Sequence, residues 1–269
     1  MERKFRLPQD IPLSEYPPAE RFLEEARRLT DEAQKQGLIL RVMGPIAIHF
    51  YFPDYVELYR RMERLGDRVF TDIDYAAYGK HRGKLVPFFL GQGYDYNKRV
   101  MMMFGQTRHI YYSDRIPMID VFFDSLDMNH RVAYKERLEL DSHSVSLTDL
   151  LLQKLQIVQV NNKDLKDAML LLLAAPLGDT DHHTINTRYL ARLFADDWGF
   201  YYTATMNLAK VRAATAGVAA LSEEQQRNIC DKADRLIHQI EQEPKSGKWK
   251  KRAQVGTKKP WYNEVSDWV

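Results

Sequence analysis

Asp72 and Asp74 stand one residue apart in the run Arg68-Val69-Phe70-Thr71-Asp72-Ile73-Asp74-Tyr75-Ala76-Ala77. The apolar frame reads as a strand, and side chains at i and i+2 of a strand point the same way. Two carboxylates side by side repel each other, nothing about folding asks for them there, and a divalent cation would resolve the conflict. A second apolar run, Met118-Ile119-Asp120-Val121-Phe122-Phe123-Asp124, carries Asp120 between Ile119 and Val121. Three carboxylates converging from adjacent strands are what two-metal phosphoryl or nucleotidyl transfer requires. One ion activates the attacking hydroxyl, and the other holds the triphosphate and stabilises the leaving pyrophosphate. A competing reading is an edge strand whose carboxylates face solvent or pair with arginines. The bare pattern does not decide, since acid-x-acid also occurs at Glu139/Asp141, Asp179/Asp181 and Glu241/Glu243. Only the first pair is embedded in an apolar strand.

The elements around these acids follow from periodicity and turn residues. Pro17-Pro18 introduces Ala19 to Lys35, where Phe22, Ala26, Leu29 and Ala33 recur at helical spacing, and Gly37 supplies a stop. Leu38 to Met43 reads as a buried strand ending at Gly44-Pro45, with apolar Ile46-Ala47-Ile48 opening a helix. Pro53 to Leu65 is a second helical pattern, and Gly66-Asp67 turns the chain into the acidic strand. Lys80 to Met103 carries no clear period. Thr107 to Ser113 and Ile116 to Phe123 read as strands joined by Ser113-Asp114-Arg115, and Arg131 to Leu140 as one more. From Ser146 strand signals vanish. Ser146 with Asp149 makes an N-cap pair for Leu147 to Val160, and Asn161 or Asn162 caps Lys163 to Ala174. Further helices are expected at Thr184 to Asp196, Phe200 to Ala214 and Ser222 to Gln242.

The order strand-Gly-x-x-Ala, helix, Arg68-x-x-x-Asp72-x-Asp74, then a strand with a third Asp, resembles the nucleotidyltransferases of the DNA polymerase beta superfamily. Leu150-Leu151-Leu152-Gln153-Lys154-Leu155-Gln156 and Asn162-Lys163-Asp164-Leu165-Lys166-Asp167-Ala168-Met169 are similar to the helical motifs of the AbiEii-like group, to which toxins of type IV toxin-antitoxin systems belong. The resemblance covers roughly residues 38 to 175. It implies that Asp72, Asp74 and Asp120 hold Mg²⁺ or Mn²⁺, with Asp120 as the candidate base for the attacking hydroxyl. It also implies that Lys154 contacts nucleotide phosphates, that Asp164 orients Lys154 or the nucleotide, that Asp167 sits nearby, and that Arg68 helps hold the triphosphate. The family usually has Gly-Gly or Gly-Ser where this chain has Gly44-Pro45, and backbone N–H groups there cradle phosphate. Proline removes one such donor. Plainer roles compete: Lys154 as a solvated helix lysine, and Asp164 and Asp167 as acids favoured at the positive end of their helix.

Composition bounds the rest. At 269 residues, 45% apolar and 28% charged, the chain can bury a real core. Its longest apolar run, Ala168 to Leu177, falls short of the roughly 18 residues a membrane helix needs, and MERKFR leads into no apolar signal region, so a cytoplasmic protein is expected. One cysteine, Cys230, leaves metal binding to carboxylates or histidines, and carboxylates favour magnesium or manganese. His182-His183 read as loop residues, Met101-Met102-Met103 as core and His49 as packed; burial is the default for Tyr111-Tyr112 and Tyr201-Tyr202. Beyond Pro244 the chain is basic and aromatic. Its lysines and tryptophans suit an RNA acceptor, or Trp249 and Trp261 dock on the protein's own surface.

The expectation is an α+β protein: a mixed-sheet nucleotidyltransferase domain over residues 1–145, a helical domain over 146–243 completing the nucleotide cleft, and a basic tail over 244–269. It would move a nucleoside monophosphate from an NTP to a hydroxyl acceptor (RNA, protein or small molecule), with an antitoxin as a candidate protein partner. The alternative is a degenerate relative that binds nucleotide or a protein without turnover.

Overall fold

The computed structural model describes residues 6–64 and 69–265. The chain divides into two compact units. The first comprises Met1–Pro53, Leu65–Leu126 and Ala133–Val145; the second comprises Asp54–Arg64, Asp127–Val132 and Ser146–Val269.

In the first unit, α1 (Ala19–Lys35) buries the expected stripe of Phe22, Ala26, Leu29 and Ala33. Gly37 takes φ +68°, which lets the Leu38 N–H return to the Ala33 carbonyl at 2.9 Å and close the helix. The chain continues through β1 (Leu40–Val42), α2 (Gly44–Tyr51), α3 (Val56–Arg61, counted with the second unit), β2 (Ile73–Ala77), α4 (Arg82–Gly91), β3 (Asp95–Tyr96), α5 (Lys98–Phe104), β4 (Arg108–Tyr112) and β5 (Ile119–Phe123). The five strands form one sheet in the order β1-β2-β5-β4-β3. Only β2 and β5 are parallel; the other pairings are antiparallel, so the sheet is mixed. One face of β2 carries Ile73, Tyr75 and Ala77, and the Tyr75 hydroxyl donates to the Ala26 carbonyl of α1 at 3.1 Å. That is the core side. The opposite face carries Asp72, Asp74 and Ala76.

Two expectations fail here. Met102 and Met103 are exposed, because α5 buries none of its residues. The strand expected over Arg131 to Leu140 stops early: β6 (Ser125–Asp127) and β7 (Arg131–Ala133) form a short ribbon, after which Glu136 turns at φ +58° and Arg137 N–H bonds back to the Tyr134 carbonyl at 3.0 Å. Tight backbone turns overrule the strand-forming residues.

The second unit is helical, as the loss of strand signals predicts, apart from the two-residue strands β8 (Leu177–Gly178) and β9 (Ile185–Asn186). Its remaining helices are α6 (Leu147–Leu155), α7 (Asn162–Ala174), α8 (Thr187–Asp196), α9 (Trp198–Thr215), α10 (Glu223–Gln242) and α11 (Gly247–Val255). Caps set the starts. Ser146 accepts from the Asp149 N–H, Asn161 from the Asp164 N–H at 3.1 Å, and Ser222 makes a full capping box with Gln225. The architecture is therefore α+β, a mixed sheet with flanking helices followed by a helical region. Among the described residues no helix is long and apolar enough to cross a membrane.

Candidate functional site

The parallel pairing of β2 with β5 places Asp74 opposite Asp120 in register, so both carboxylates leave the sheet on one face. Asp72 precedes β2 by one residue and belongs to the same face by alternation. Its Oδ1 accepts from the Thr71 hydroxyl at 3.0 Å. Asp72 and Asp74 are half-buried, whereas Asp120, between two central strands, is only 2% exposed.

An arginine that the sequence reading did not single out stands among them. Arg108 opens β4, two residues from Ile110, whose register partner is Asp120. The alternation of β4 thus aims Arg108 at the carboxylate face. Its Nε donates to both oxygens of Asp120, at 2.7 and 2.8 Å, and a terminal guanidinium nitrogen also donates to Oδ2. The guanidinium carbon lies 5.2 Å from the centre of the Phe122 ring. Burial pulls the pKa of Arg108 down, but its bonds to Asp120 and the charges of Asp120, Asp74 and Asp72 outweigh burial and leave it raised. Burial likewise pushes the Asp120 carboxyl up to about 6; Arg108 opposes the rise and the Asp72 charge adds to it.

At the next corner, Gly44 begins α2 with φ +61°, and a Cβ built there would lie 3.5 Å from Oδ2 of Asp74. The backbone of this turn therefore runs directly alongside the acid, and the Met43 N–H donates to the Asp74 carbonyl at 2.8 Å. Pro45 in the first turn supplies no N–H. His49, on the same helix, is packed: its Nδ1 lies 2.9 Å from the Pro45 carbonyl and its ring meets Phe70 edge-on. Arg68 lies outside the described residues.

These oxygens are the hard donors that Mg²⁺ and Mn²⁺ select. The trio nevertheless does not fit a two-metal centre as it stands, because both oxygens of Asp120 are committed to Arg108. Among the described residues, no group of three or more His, Cys, Asp or Glu side chains is arranged to hold a metal ion. Of the two readings of these acids, pairing with arginine holds for Asp120.

In the second unit, Lys154 near the end of α6 meets Asp164 and Asp167 in the first half of α7. Its Nζ lies 2.9 Å from Asp164 Oδ1 and 2.8 Å from Asp167 Oδ2. Two further residues complete the cluster, and neither was singled out from sequence. Arg64 donates to both oxygens of Asp167, at 2.6 and 3.1 Å, and the Tyr59 hydroxyl donates to Oδ1. All five are buried or nearly so, and Lys154 is not the solvated lysine that its helix position allowed. Burial pushes Asp167 up, and Lys154 and Arg64 overcome it and hold the carboxyl below its usual value. For Lys154, burial lowers the pKa and the two acids reverse the sign.

The structure thus brings Asp72, Asp74 and Asp120 to one face, and Lys154, Asp164 and Asp167 into one cluster. Trp249 and Trp261 dock on their own unit: Trp249 packs edge-on against Tyr201, and Trp261 donates from Nε1 to Thr203 Oγ1 at 3.1 Å.

No protein-family model matches the chain, and no curated protein matches it in sequence. Among solved structures it is similar to the solution structure of the antibiotic-resistance factor ANT(2'')-Ia. The two share 15% identity and a TM-score of 0.35, over 65% of this chain and 94% of that one. An overlap this loose assigns no residue and no activity.

Proposed function

We propose that the chain is a cytoplasmic nucleotidyltransferase that moves a nucleoside monophosphate from an NTP to a hydroxyl acceptor and releases pyrophosphate. The observation that carries this reading is the in-register pairing of Asp74 with Asp120, with the Gly44 backbone lying against Asp74. The acceptor oxygen attacks the α-phosphorus, the bond to pyrophosphate breaks, and the hydroxyl proton passes to Asp120. The carboxyl stands at about 6 with Arg108 bound, and release of Arg108 moves it higher, which increases its strength as a proton acceptor. The negative triphosphate competes for Arg108, drawing it from Asp120 and leaving the carboxylate free to act. Asp72 and Asp74 border the proposed phosphate site, where a cation would offset their charge, Arg68 is proposed to help hold the triphosphate, and the N–H groups of α2 beyond Pro45 supply donors. Mg²⁺ or Mn²⁺ is the cation such acids select, but no step is routed through it while Arg108 holds Asp120. Lys154, oriented by Asp164 and Asp167, is proposed as a nucleotide phosphate contact, which requires it to give up one of its two ion pairs.

A second reading, a degenerate relative that binds nucleotide or a protein partner without turnover, is favoured by the Arg108–Asp120 pair and by Pro45. RNA, a protein or a small molecule is the acceptor class, and a toxin-like role with an antitoxin partner belongs to the same proposal. Incubation with each labelled NTP, Mg²⁺ and a cell extract separates these outcomes, with Asp72→Ala/Asp74→Ala as control. Label entering one acceptor class with the wild type alone supports transfer. Nucleotide binding without label transfer supports the second reading, and absence of both binding and transfer removes the transferase and leaves the second reading only as a protein-binding relative.

A further inference from the structure

Residues 244–263 contain seven lysines and arginines and no aspartate or glutamate. The whole chain carries a net charge of only +2, so the remainder is net negative by five. The seven cations divide into two groups. Lys245 turns inward at the end of α10, where its Nζ donates to the carbonyls of Glu241 at 3.2 Å, Glu243 at 2.9 Å and Ile240. Arg252 donates to the carbonyls of Gly256, Lys259 and Pro260, at 2.7, 3.1 and 3.1 Å, and lies 4.8 Å from the Trp198 ring centre. These two cations, with Trp249 and Trp261, fix the segment to its own unit. Ser246 completes the frame: its N–H donates to the Ala195 carbonyl at 2.9 Å, and its hydroxyl caps α11 through the Trp249 N–H at 3.1 Å.

Lys248, Lys250, Lys251, Lys258 and Lys259 are left, and all five are exposed. Among the described residues, the one ion pair reaching this group is Lys248 with Asp196, at 3.7 Å between two largely exposed side chains. Such a pair is worth little. The result is five exposed lysines within twelve residues of a segment anchored to its own unit.

We propose that these five lysines are a docking surface for the phosphate backbone of a nucleic acid duplex. A duplex offers closely and regularly spaced anions, and lysine meets phosphate as a point charge. The orientation of the aromatic residues narrows the partner. Trp249 and Trp261 are spent on the protein's own surface, so they neither stack unpaired bases nor anchor the segment in a lipid interface. Recognition therefore rests on backbone charge and is indifferent to sequence. The inference stands on the second unit alone and holds whether or not the carboxylates of the first unit transfer nucleotides.

The test is an anisotropy titration of the full chain against a labelled mixed-sequence duplex at several salt concentrations. Five phosphate contacts give a slope of log affinity against log salt of about −4.5. Replacing all five lysines by glutamine removes that slope and weakens binding at least about 100-fold at 0.1 M salt. A control variant carries the same charge change at exposed Lys35, Lys84, Lys98, Lys135 and Lys163 and retains both slope and affinity. Equal losses in the two variants overturn the proposal, since net charge alone would then explain the binding. It is equally overturned if the wild type fails to bind duplex at low salt, or if anionic phosphatidylserine vesicles capture the protein and excess duplex does not compete.

Discussion

The carboxylates of the sheet and those of the helical unit meet cations in opposite ways. Around Lys154 the charges balance: two acids face Lys154 and Arg64, all four are buried or nearly so, and the Tyr59 hydroxyl fills a remaining acceptor. On the sheet, Arg108 bonds Asp120 and also feels the charges of Asp74 and Asp72, which remain half-exposed. A balanced buried cluster is satisfied by its own members and gives up an ion pair only when a competing charge reaches it. A partly open one keeps carboxylates within reach of solvent and of an incoming ligand. The second arrangement is the better candidate for chemistry, and the first for architecture.

The largest expected effect breaks this contrast if it fails. Asp167→Asn leaves Lys154 and Arg64 with Asp164 as their remaining acid, and should cost about 3–5 kcal/mol in urea unfolding. Asp74→Asn alters a half-exposed side chain and should shift stability by less than about 1 kcal/mol. Equal losses at the two positions would erase the distinction.

Acid sharpens the comparison, because each unit holds a buried histidine whose pKa is strongly depressed. His109 in the sheet and His130, stacked on Phe200 in the helical unit, are both pushed down to about 4, chiefly by burial. A folded-state value below the ordinary 6.5 means that the stability each contributes is present above about pH 6.5 and is lost as pH falls toward 4. The loss should be on the order of 3 kcal/mol for each histidine. Urea titrations at pH 7, 5 and 4 on His109→Gln and His130→Gln should show a flatter acid limb for each variant. Unchanged limbs would mean that neither histidine is held neutral.

A smaller effect concerns the shared arginine. Arg108→Gln removes what holds Asp120 down, so the carboxyl should titrate above about 6 by NMR, with a stability loss of about 1–3 kcal/mol. A carboxyl that titrates lower in the variant would show that Arg108 does not govern it.

The sequence carried the acids better than their partners. Alternation alone put Asp72 and Asp74 on one face, because it is a local property of one strand. It also placed Asp120 in a second strand, although the register that sets it beside Asp74 depends on a crossover from β2 to β5. Arg108 was just as visible within the strand expected over Thr107 to Ser113. Its target, however, is fixed by pairing with β5, which no local pattern encodes. Tyr59 and Arg64 belong to a stretch expected to be helical, where an arginine near a helix end reads as solvated. Their meeting with Asp167 spans more than a hundred residues. Met102 and Met103 show the converse: apolar side chains favour burial, but α5 offers none. The short α11 has little apolar period of its own, and its place depends on tryptophans and on Arg252 reaching other elements.

The alignment of β2 with β5 bears on how the sheet assembles. Sliding one strand by a single position would turn Asp120 toward the layer where Tyr75 reaches α1, stranding an ionised group in an oily interior without a guanidinium partner. The acid thus acts as a key against mispairing, rejecting the neighbouring alignment that the apolar side chains around it would otherwise tolerate.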